Sequence, residues 1–443
     1  MRATFLLCCG SLALGAIGSI AACATSEAVS EVAPLPDSGG SSALPEDNGA
    51  EDSGSAEGAT DSGAEGDGPE CSAAGWCRTT LPDEDLTLKD ISAVGDAAFA
   101  IADSPTLGIK VLEWRNADST WRYIDDNTQH MVDLGTYPGR IWAPSEDEVY
   151  YGVGAGYLYH GKRPSPPATT WSWTRQRLGD ESDAAVVGPQ DAYPAYPSTD
   201  PGLHLNYPTL GIWGTSADDV YAWFVNTLYH RTSIGGAEPK WVPEYVADDA
   251  TASEHMYFFA AAGAGPDEVW FSGARATSSV GCAVLVRKTG GTYQKVADGT
   301  PNSHSCAVRD GHLQIAGDPG FPGWLTDIHM PSANQIVGLM DTGLVRVSIT
   351  GDGYSASVVP INTQATGWPF VSLWAEPGSI WMSGSGVLYR IGDDVWDGGS
   401  SAQISTLAIN GAPFEERLYR IRGTSTTNLW AIGVRNAFHK TTP

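Results

Sequence analysis

The sequence predicts an all-β protein: a seven-bladed β-propeller in residues 71–443, preceded by an export signal and a disordered tether. Three observations lead to this fold. A degenerate motif recurs seven times, each copy contains short alternating runs typical of strands, and the last copy lacks one strand that the start of the globular region can supply. Repeats of about 40 to 50 residues built from strands indicate propeller blades, which are stable only when stacked on their neighbours.

The motif is clearest in residues 211–231, GIWGTSADDVYAWFVNTLYHR, where an apolar start, a polar turn with paired acids, an alternating run and a Leu-Tyr-His segment follow one another. All copies align on one apolar anchor residue. The seven anchors are Ile91, Ile141, Ile212, Ala261, Ile328, Leu373 and Ile421. Successive anchors are 50, 71, 49, 67, 45 and 48 residues apart. The spacing therefore predicts seven blades.

Most units also contain a fourth apolar run that begins near an aromatic residue. Runs of four to eight residues that are rich in β-branched and aromatic side chains and bounded by turn formers predict strands. The five such runs begin near Trp121, Trp173, Trp241, Tyr293 and Tyr354. Four strands per unit is the propeller pattern.

The seventh unit stops at Pro443, directly after its third run. Residues 75–81, GWCRTTL, precede the first unit and contain a tryptophan, Trp76, where a fourth strand would have one. We expect this segment to pair with the last unit, because that closes the ring and leaves no open edge between the first and last blades.

Residues 1–22 predict a signal peptide, with Arg2 followed by an apolar core. It ends in Ile20-Ala21-Ala22-Cys23, which resembles the lipobox of bacterial lipoproteins. The resemblance implies cleavage before Cys23, acylation of that residue, and stable membrane attachment through several acyl chains. We expect an exported protein anchored by lipid in the cell envelope, in the outer membrane. A secreted protein cleaved near the same place is the alternative.

Residues 23–70 predict a disordered tether, because residues 24–70 contain 12 acids and no Lys, Arg or aromatic residue. The whole chain has a net charge of −27. Residues 71–443 contain 24 bases against 40 acids, which opposes binding to a phosphate backbone. Nucleic acid is therefore not expected as a partner, and we expect a monomer.

Four cysteines lie beyond the lipidation site, and in an exported protein they predict two disulfides. Nearness in sequence favours Cys71 with Cys77 and Cys282 with Cys306 over the other two pairings. Neither pair has the spacing of a zinc site, and the sequence predicts no metal site and no cofactor.

The repeat at 212–220, I-W-G-x-S-x-D-D-V, and its copy at 141–149 resemble the repeats of large secreted and lipoprotein propellers of myxobacteria and related deltaproteobacteria. They are also similar, more distantly, to neuraminidase-type and photosystem-assembly-factor propellers. The resemblance spans about residues 80–443 and implies a seven-bladed propeller on a cell envelope, with no shared catalytic chemistry. A sialidase would need Ser-x-Asp-x-Gly-x-Thr-Trp boxes and an arginine triad. The nearest fragment, residues 118–121, lacks the glycine, and no triad can be assigned.

Two sets of polar residues could suggest catalysis or metal binding. They are the histidines His160, His230 and His439, and the acidic segments 146–148, 218–219 and 267–268. The histidines share one repeat position, and equivalent positions of different blades point along different spokes. The acids fall between the first and second runs, where Asp stabilises turns. Both sets are therefore interpreted as structural.

The 71-residue step contains a long insertion, about residues 179–209, with the aromatic residues Tyr193, Tyr196, His204 and Tyr207. Long ordered loops are usually functional, and exposed tyrosine gives a large contact area at low entropic cost. We expect these four residues to contact a ligand, the alternative being a loop that only packs over the ring. A second extension is expected around residues 302–324.

Two functions are consistent with the sequence. The first is a non-enzymatic binding or scaffold module for a protein or glycan. The alternative is an exported hydrolase or lyase with its site in the central funnel. The residues that line the funnel should distinguish them, since a ring of inward polar groups around a metal would favour the enzyme.

Overall fold

The structure is a computed structural model that describes residues 71–442 with gaps at 129–136, 155, 179–209, 234–235, 237, 248–249, 252–253, 278–279, 303–304, 316–322, 341–342, 352, 362–369, 400–401 and 410–411. The fold is all-β. Apart from a short 3-10 helix at Asp393–Asp397, the regular elements of this part are strands. No helix among the described residues is long and apolar enough to cross a bilayer.

Seven four-stranded antiparallel sheets form blades I to VII. The closing strand and blades I to III comprise β1 (Trp76–Thr79), β2 (Thr87–Val94), β3 (Ala97–Ser104), β4 (Gly108–Arg115), β5 (Thr120–Tyr123), β6 (Pro138–Ser145), β7 (Glu148–Val153), β8 (Tyr157–Lys162), β9 (Ser172–Arg177), β10 (Leu210–Ser216), β11 (Asp219–Phe224), β12 (Thr227–Thr232) and β13 (Lys240–Val246). In blades I to VI, each strand pairs with the next one in sequence.

Blades IV to VII are the sheets β14 to β17, β20 to β23, β24 to β27 and β30 to β32 with β1, and two small hairpins lie between them. The strands are β14 (His255–Gly265), β15 (Glu268–Ala276), β16 (Gly281–Thr289), β17 (Thr292–Ala297), β18 (Gly299–Pro301), β19 (Cys306–Val308), β20 (Asp327–Ser332), β21 (Gln335–Met340), β22 (Gly343–Thr350), β23 (Gly353–Pro360), β24 (Ser372–Glu376), β25 (Ser379–Ser383), β26 (Val387–Gly392), β27 (Ala402–Thr406), β28 (Ala408–Ile409), β29 (Ala412–Pro413), β30 (Leu418–Ser425), β31 (Asn428–Gly433) and β32 (Asn436–Lys440).

The predicted closure of the ring is confirmed, because β1 pairs antiparallel with β32 as the outer strand of blade VII. Trp76 is 1% exposed and packs in the core of that blade. Thr79 joins the two ends of the ring, since its hydroxyl donates to Ala437 O and accepts from Trp121 Nε1 of blade I, both at 2.9 Å. The first and last blades are thus linked by side chains as well as by the ladder.

The first strand of each blade lies innermost and contacts the first strands of both neighbouring blades, including β30 with β2. Hydrophobic clusters fill the spaces between blades, with the seven anchor residues contributing from the first strands. Six anchors are buried and Ala261 is partly buried. This packing of flat sheets face to face explains why the repeat needs an apolar residue at the anchor.

The two faces of the ring differ in which strand ends they carry. A two-residue turn joins the first and second strands of every blade, and we call that side the turn face. Each fourth strand ends and each first strand starts on the opposite side, which we call the loop face. Leu178 and Leu210 flank the long insertion, so it is attached at the loop face.

Both predicted disulfides are present. Cys71 bonds to Cys77 beside the closing strand, and Cys282 of β16 bonds to Cys306 of β19. The second disulfide attaches the β18–β19 hairpin to blade IV, in the predicted second extension. A cross-link over such a loop typically stabilises a fold by about 2–4 kcal/mol.

Candidate functional site

The central channel is lined by two rings of residues that follow from strand alternation. Side chains on either side of an anchor point to the opposite side of the strand from the anchor, towards the channel and the next blade. The inner ring precedes the anchors and consists of Asp90, Arg140, Gly211, Ala260, Asp327, Ser372 and Arg420. The outer ring follows them and consists of Ser92, Trp142, Trp213, Ala262, His329, Trp374 and Arg422. Because each first strand runs towards the turn face, the outer ring lies nearer that face.

These rings lie around a funnel of about 330 Å³, and residues from all seven first strands line it. Its walls include the indoles of Trp142, Trp213 and Trp374, together with Met330. Trp142 and Trp213 are partly exposed, whereas Trp374 is buried and donates from Nε1 to Gly423 O at 2.9 Å. The funnel therefore combines flat apolar walls with a polar floor.

The floor is an ion-pair network that crosses the channel. Asp327 accepts from Arg422 at 2.8 Å through Oδ1, and its Oδ2 accepts from the Ser372 hydroxyl at 2.8 Å. Asp90 Oδ1 lies 3.2 Å from Arg420 Nε and 3.6 Å from Arg140 Nη1. Of these six side chains, all except Arg422 are almost fully buried. The network joins blades I, II, V, VI and VII across the axis of the ring.

The carboxylates of the floor also bind backbone amides of the next blade. Asp90 accepts from Ile141 N at 2.9 Å, and Asp327 accepts from Leu373 N at 3.1 Å. In the same way the Ser372 hydroxyl accepts from Ile421 N at 3.3 Å. The inner ring thus sets the spacing of neighbouring blades.

Burial and the surrounding arginines shift the two carboxyl groups in opposite directions. Burial raises the pKa of Asp90 above its usual range and outweighs Arg140 and Arg422. Burial acts on Asp327 too, but Arg422 and Arg140 outweigh it and hold the pKa of Asp327 below its usual range. Asp327 is therefore the more firmly ionised of the two.

Several buried polar atoms of the floor have no hydrogen-bond partner among the described residues. They include Arg140 Nη1, Arg420 Nε, Asp90 Oδ1 and His329 Nδ1. Arg140 and His329 both line the funnel. Burial lowers the pKa of His329 to about 4, so its imidazole is neutral. Arginine stays protonated even when buried, so Arg140 Nη1 and Arg420 Nε are held to Asp90 Oδ1 by ion pairs, at 3.6 and 3.2 Å, that lack hydrogen-bond geometry.

The histidines of the repeat are structural, as predicted. Each lies in the third strand of its blade and stacks on an aromatic residue of the second strand. The three stacks are Tyr150 with His160 at 4.1 Å, Tyr221 with His230 at 4.4 Å and Trp430 with His439 at 4.0 Å between ring centres. They belong to three different blades.

The interpretation of the acidic segments as turn residues needs a correction. The second acid of each pair is the first residue of the second strand, and it bonds to the third strand. Asp219 Oδ1 lies 3.0 Å from His230 Nε2, Glu148 Oε1 lies 2.5 Å from His160 Nε2, and Glu268 Oε2 lies 2.6 Å from Arg287 Nη2. The last acid of each segment thus holds the histidine or arginine that stacks on the blade, and the acids before it lie in the turn.

Some predicted site residues lie outside the described residues. These are Cys23 and the insertion residues Tyr193, Tyr196, His204 and Tyr207. Within the described residues, no group of three or more His, Cys, Asp or Glu side chains is placed to hold a metal ion. The funnel was not assigned residues from the sequence, although the alternation around each anchor would have identified both rings.

Comparison with known proteins gives a structural likeness only. No family model matches the chain, and no curated protein matches it. Among solved structures it is similar to YCF48 bound to D1 peptide, with 11% identity, a TM-score of 0.52, and 85% of this chain and 97% of that chain covered. YCF48 from Cyanidioschyzon merolae has 13% identity, a TM-score of 0.49, and 84% and 99% covered. The WD40 beta propeller domain of Doa1 has 10% identity, a TM-score of 0.47, and 82% and 94% covered. At 11% identity, the first likeness supports the propeller fold alone.

Proposed function

We propose that this protein is a non-enzymatic binding module, anchored to the cell envelope by lipid on Cys23, whose propeller recognises a protein partner. The lipobox-like segment before Cys23 supports the anchor, and the acidic residues 24–70 support a tether that holds the ring away from the membrane. The I-W-G repeats support a place among the myxobacterial type of envelope propellers.

The observation that carries the binding function is the funnel on the turn face. Partly exposed indoles of Trp142 and Trp213 stand above buried arginines, in a concave site with walls from all seven blades. Tryptophan and arginine are the side chains that most often dominate binding energy at protein interfaces. A small aromatic funnel with a charged floor therefore suits the recognition of a projecting segment of another protein.

The solved structure of YCF48 bound to D1 peptide supports this proposal by example. It has the same fold, so a propeller of this architecture can bind a peptide. We extend that mode of binding to the present chain as part of the proposal.

The alternative of a hydrolase or lyase has less support from the geometry. Asp90 and Asp327 are at most 5% exposed and are bonded to guanidinium groups and backbone amides. A general acid or base must reach the substrate atom with which it exchanges a proton. These carboxylates instead stabilise the ring.

The insertion at 179–209 is a second candidate contact, through Tyr193 and Tyr196. Because it is attached at the loop face, it starts from the side opposite the funnel mouth. The two contacts can therefore be tested separately.

Photo-crosslinking in the intact envelope tests the proposal. A benzophenone amino acid replaces Trp213 in the funnel, Tyr196 in the insertion, or the exposed Ile404 of edge strand β27 as the control. We expect a discrete protein adduct from position 213 and none from position 404. An adduct from position 196 alone would move the contact to the insertion. The absence of adducts from both 196 and 213 would contradict a binding function.

A further inference from the structure

The funnel floor has one more positive than negative group among the described residues that form it. Three guanidinium groups, Arg140, Arg420 and Arg422, face two carboxylates, Asp90 and Asp327. Arg140 is 5% exposed, lines the funnel, and its Nη1 donates no hydrogen bond to a described residue. Arg422 is 23% exposed and also lines the funnel. Arg140 Nη1 is buried and lies 3.6 Å from Asp90 Oδ1, so the partly exposed Arg422 is the guanidinium group that an incoming anion can reach.

The mouth of the same funnel has the opposite charge. The two-residue turns of blades I to IV each carry an exposed carboxylate, and these residues are Asp96, Asp147, Asp218 and Asp267. Asp147 is ion-paired with Arg163 at 2.9 Å, so Asp96, Asp218 and Asp267 supply most of the negative charge. Glu376 adds a partly buried carboxylate at the end of β24. The corresponding turns of blades V to VII, residues 333–334, 377–378 and 426–427, are uncharged. An acidic arc thus surrounds one side of a positively charged centre.

We propose that the funnel receives the free C-terminal carboxylate of an extended peptide whose preceding residues include Lys or Arg. This inference rests on the proposed function, because it names the partner chemistry of the same funnel. The carboxylate would bind the exposed side of Arg422, where charge-assisted hydrogen bonds are strongest away from water, and the buried Arg140 guanidinium would add positive charge beneath it. The basic residues would lie against the acidic arc.

A chain end fits this site better than an acidic side chain in the middle of a chain. The funnel holds about 330 Å³ and is lined by Trp142 and Trp213. An internal segment would have to enter and leave through the same mouth, whereas a C-terminus enters once. The indoles then contact the last side chains and can stack on a Lys or Arg that follows the arc.

Fluorescence anisotropy with labelled peptide pools tests the proposal on the full chain purified in detergent. The first pool contains fluorescein-labelled hexapeptides with Lys or Arg fixed at the third and fifth positions and a free carboxylate. A second pool is identical but amidated, and a third is amidated with Glu as the penultimate residue. A fourth has a free carboxylate and Glu in place of Lys or Arg. We expect the first pool to bind at least about tenfold more tightly than either amidated pool.

The acidic arc is tested with a matched pair of variants of equal charge change. Asp218→Asn with Asp267→Asn removes two carboxylates from the turn face, and Glu415→Gln with Glu416→Gln removes two exposed carboxylates from the loop face. We expect the first variant to reduce the preference for the first pool over the fourth by about twofold to fivefold at low salt, and the second to leave it unchanged.

Three results would overturn the inference. One is equal binding of the free and amidated basic pools, the second is tighter binding of the amidated pool with internal Glu, and the third is no binding of any pool. These results leave the crosslinking test untouched, since a partner captured from position 213 without a carboxylate requirement would keep the binding function and refute only this ligand chemistry. Arg422→Gln should abolish the preference for a free carboxylate. Arg422 also bonds to Asp327, so this variant changes the funnel floor as well as the ligand contact. The binding of the four peptide pools to the unaltered chain therefore decides between the outcomes.

Discussion

The indole of Trp142 lies directly against Gly214 of the next blade, because a Cβ atom at position 214 would be 2.7 Å from Trp142 Cη2. Trp213 has the same relation to Gly263, where a Cβ would be 2.9 Å from Trp213 Cη2. The tryptophan and the glycine of the I-W-G repeat therefore belong to one packing contact between blades. In blades IV and V the sizes are reversed, with Ala262 and Met330 in the same cluster.

This size complementarity predicts a compensating pair of substitutions. Ala262→Trp alone should lower the free energy of unfolding by about 1–3 kcal/mol through overpacking against Met330. Adding Met330→Gly installs the tryptophan and glycine pair of the other blades and should recover at least half of that loss. Denaturant unfolding of the two variants measures both effects. If the double variant is less stable than Ala262→Trp, the pairing across blades is wrong.

The closing strand makes a second prediction. A chain that starts at Leu86 lacks β1, so it loses the ladder to β32, the buried Trp76 and the Thr79 bridge to Trp121. Relative to a chain that starts at Glu70, we expect a loss of at least about 3 kcal/mol. Thermal unfolding compares the two, and equal melting temperatures would contradict closure by β1.

The stacked histidines predict opposite pH dependences in two blades. Burial lowers the pKa of His439 to about 4, so the folded state takes up its proton less readily than the unfolded chain. His439 therefore contributes its full stabilisation above about pH 6.5. Its contribution to the free energy of unfolding falls by about 2 kcal/mol between pH 7 and pH 5. His439→Phe keeps a ring on Trp430 and should flatten this fall.

His230 provides the matched comparison. Burial acts to lower its pKa, but hydrogen bonds with Asp219 and Glu244 outweigh burial and raise it. Its stabilisation is fully present below about pH 6.5 and is lost as the pH rises through the folded value. His230→Phe should therefore cost more at pH 6 than at pH 8. Unfolding curves at pH 5, 6, 7 and 8 for both variants test the signs, and slopes that change in the same direction would refute this account.

The lipid anchor predicts metabolic labelling with palmitate at one residue. The full chain should be labelled and recovered with membranes, and Cys23→Ser should lose both properties, since acyl chains supply the attachment. A Cys23→Ser protein that is still labelled and membrane-bound would show that the anchor lies elsewhere.

The sequence predicted the fold well because the propeller repeats one local pattern. Alternation of apolar residues and the positions of turn residues predicted the anchors, the fourth strands that begin near Trp121 and Tyr354, and the closing strand around Trp76. β27 was missed because no aromatic residue begins it and the 3-10 helix at Asp393–Asp397 separates it from β26. β27 forms because β26 of the same blade pairs with it, and not because its own amino-acid composition predicts a strand.

Only some features of the funnel could be predicted from the sequence. Alternation around the anchors places Asp90, Arg140, Asp327 and Arg420 in the channel, but sequence alone does not show which of them meet across the ring. That depends on the diameter of the channel and on how neighbouring side chains fill it, as Trp223 does beside Gly211. The pairing of Asp219 with His230 was likewise hidden, because it needs the register between β11 and β12.

The most direct test of the funnel as the binding site is the affinity of the crosslinked partner for three forms of the full chain. Ala262→Trp with Met330→Gly adds an indole to the outer ring and narrows the funnel without removing an arginine. Tyr193→Ala with Tyr196→Ala removes aromatic residues of the insertion instead. We predict that the first double variant weakens binding at least about tenfold while its melting temperature stays close to that of the unaltered chain. Unchanged affinity in that variant, with weaker binding in the insertion variant, would contradict the account and place the contact on the loop face.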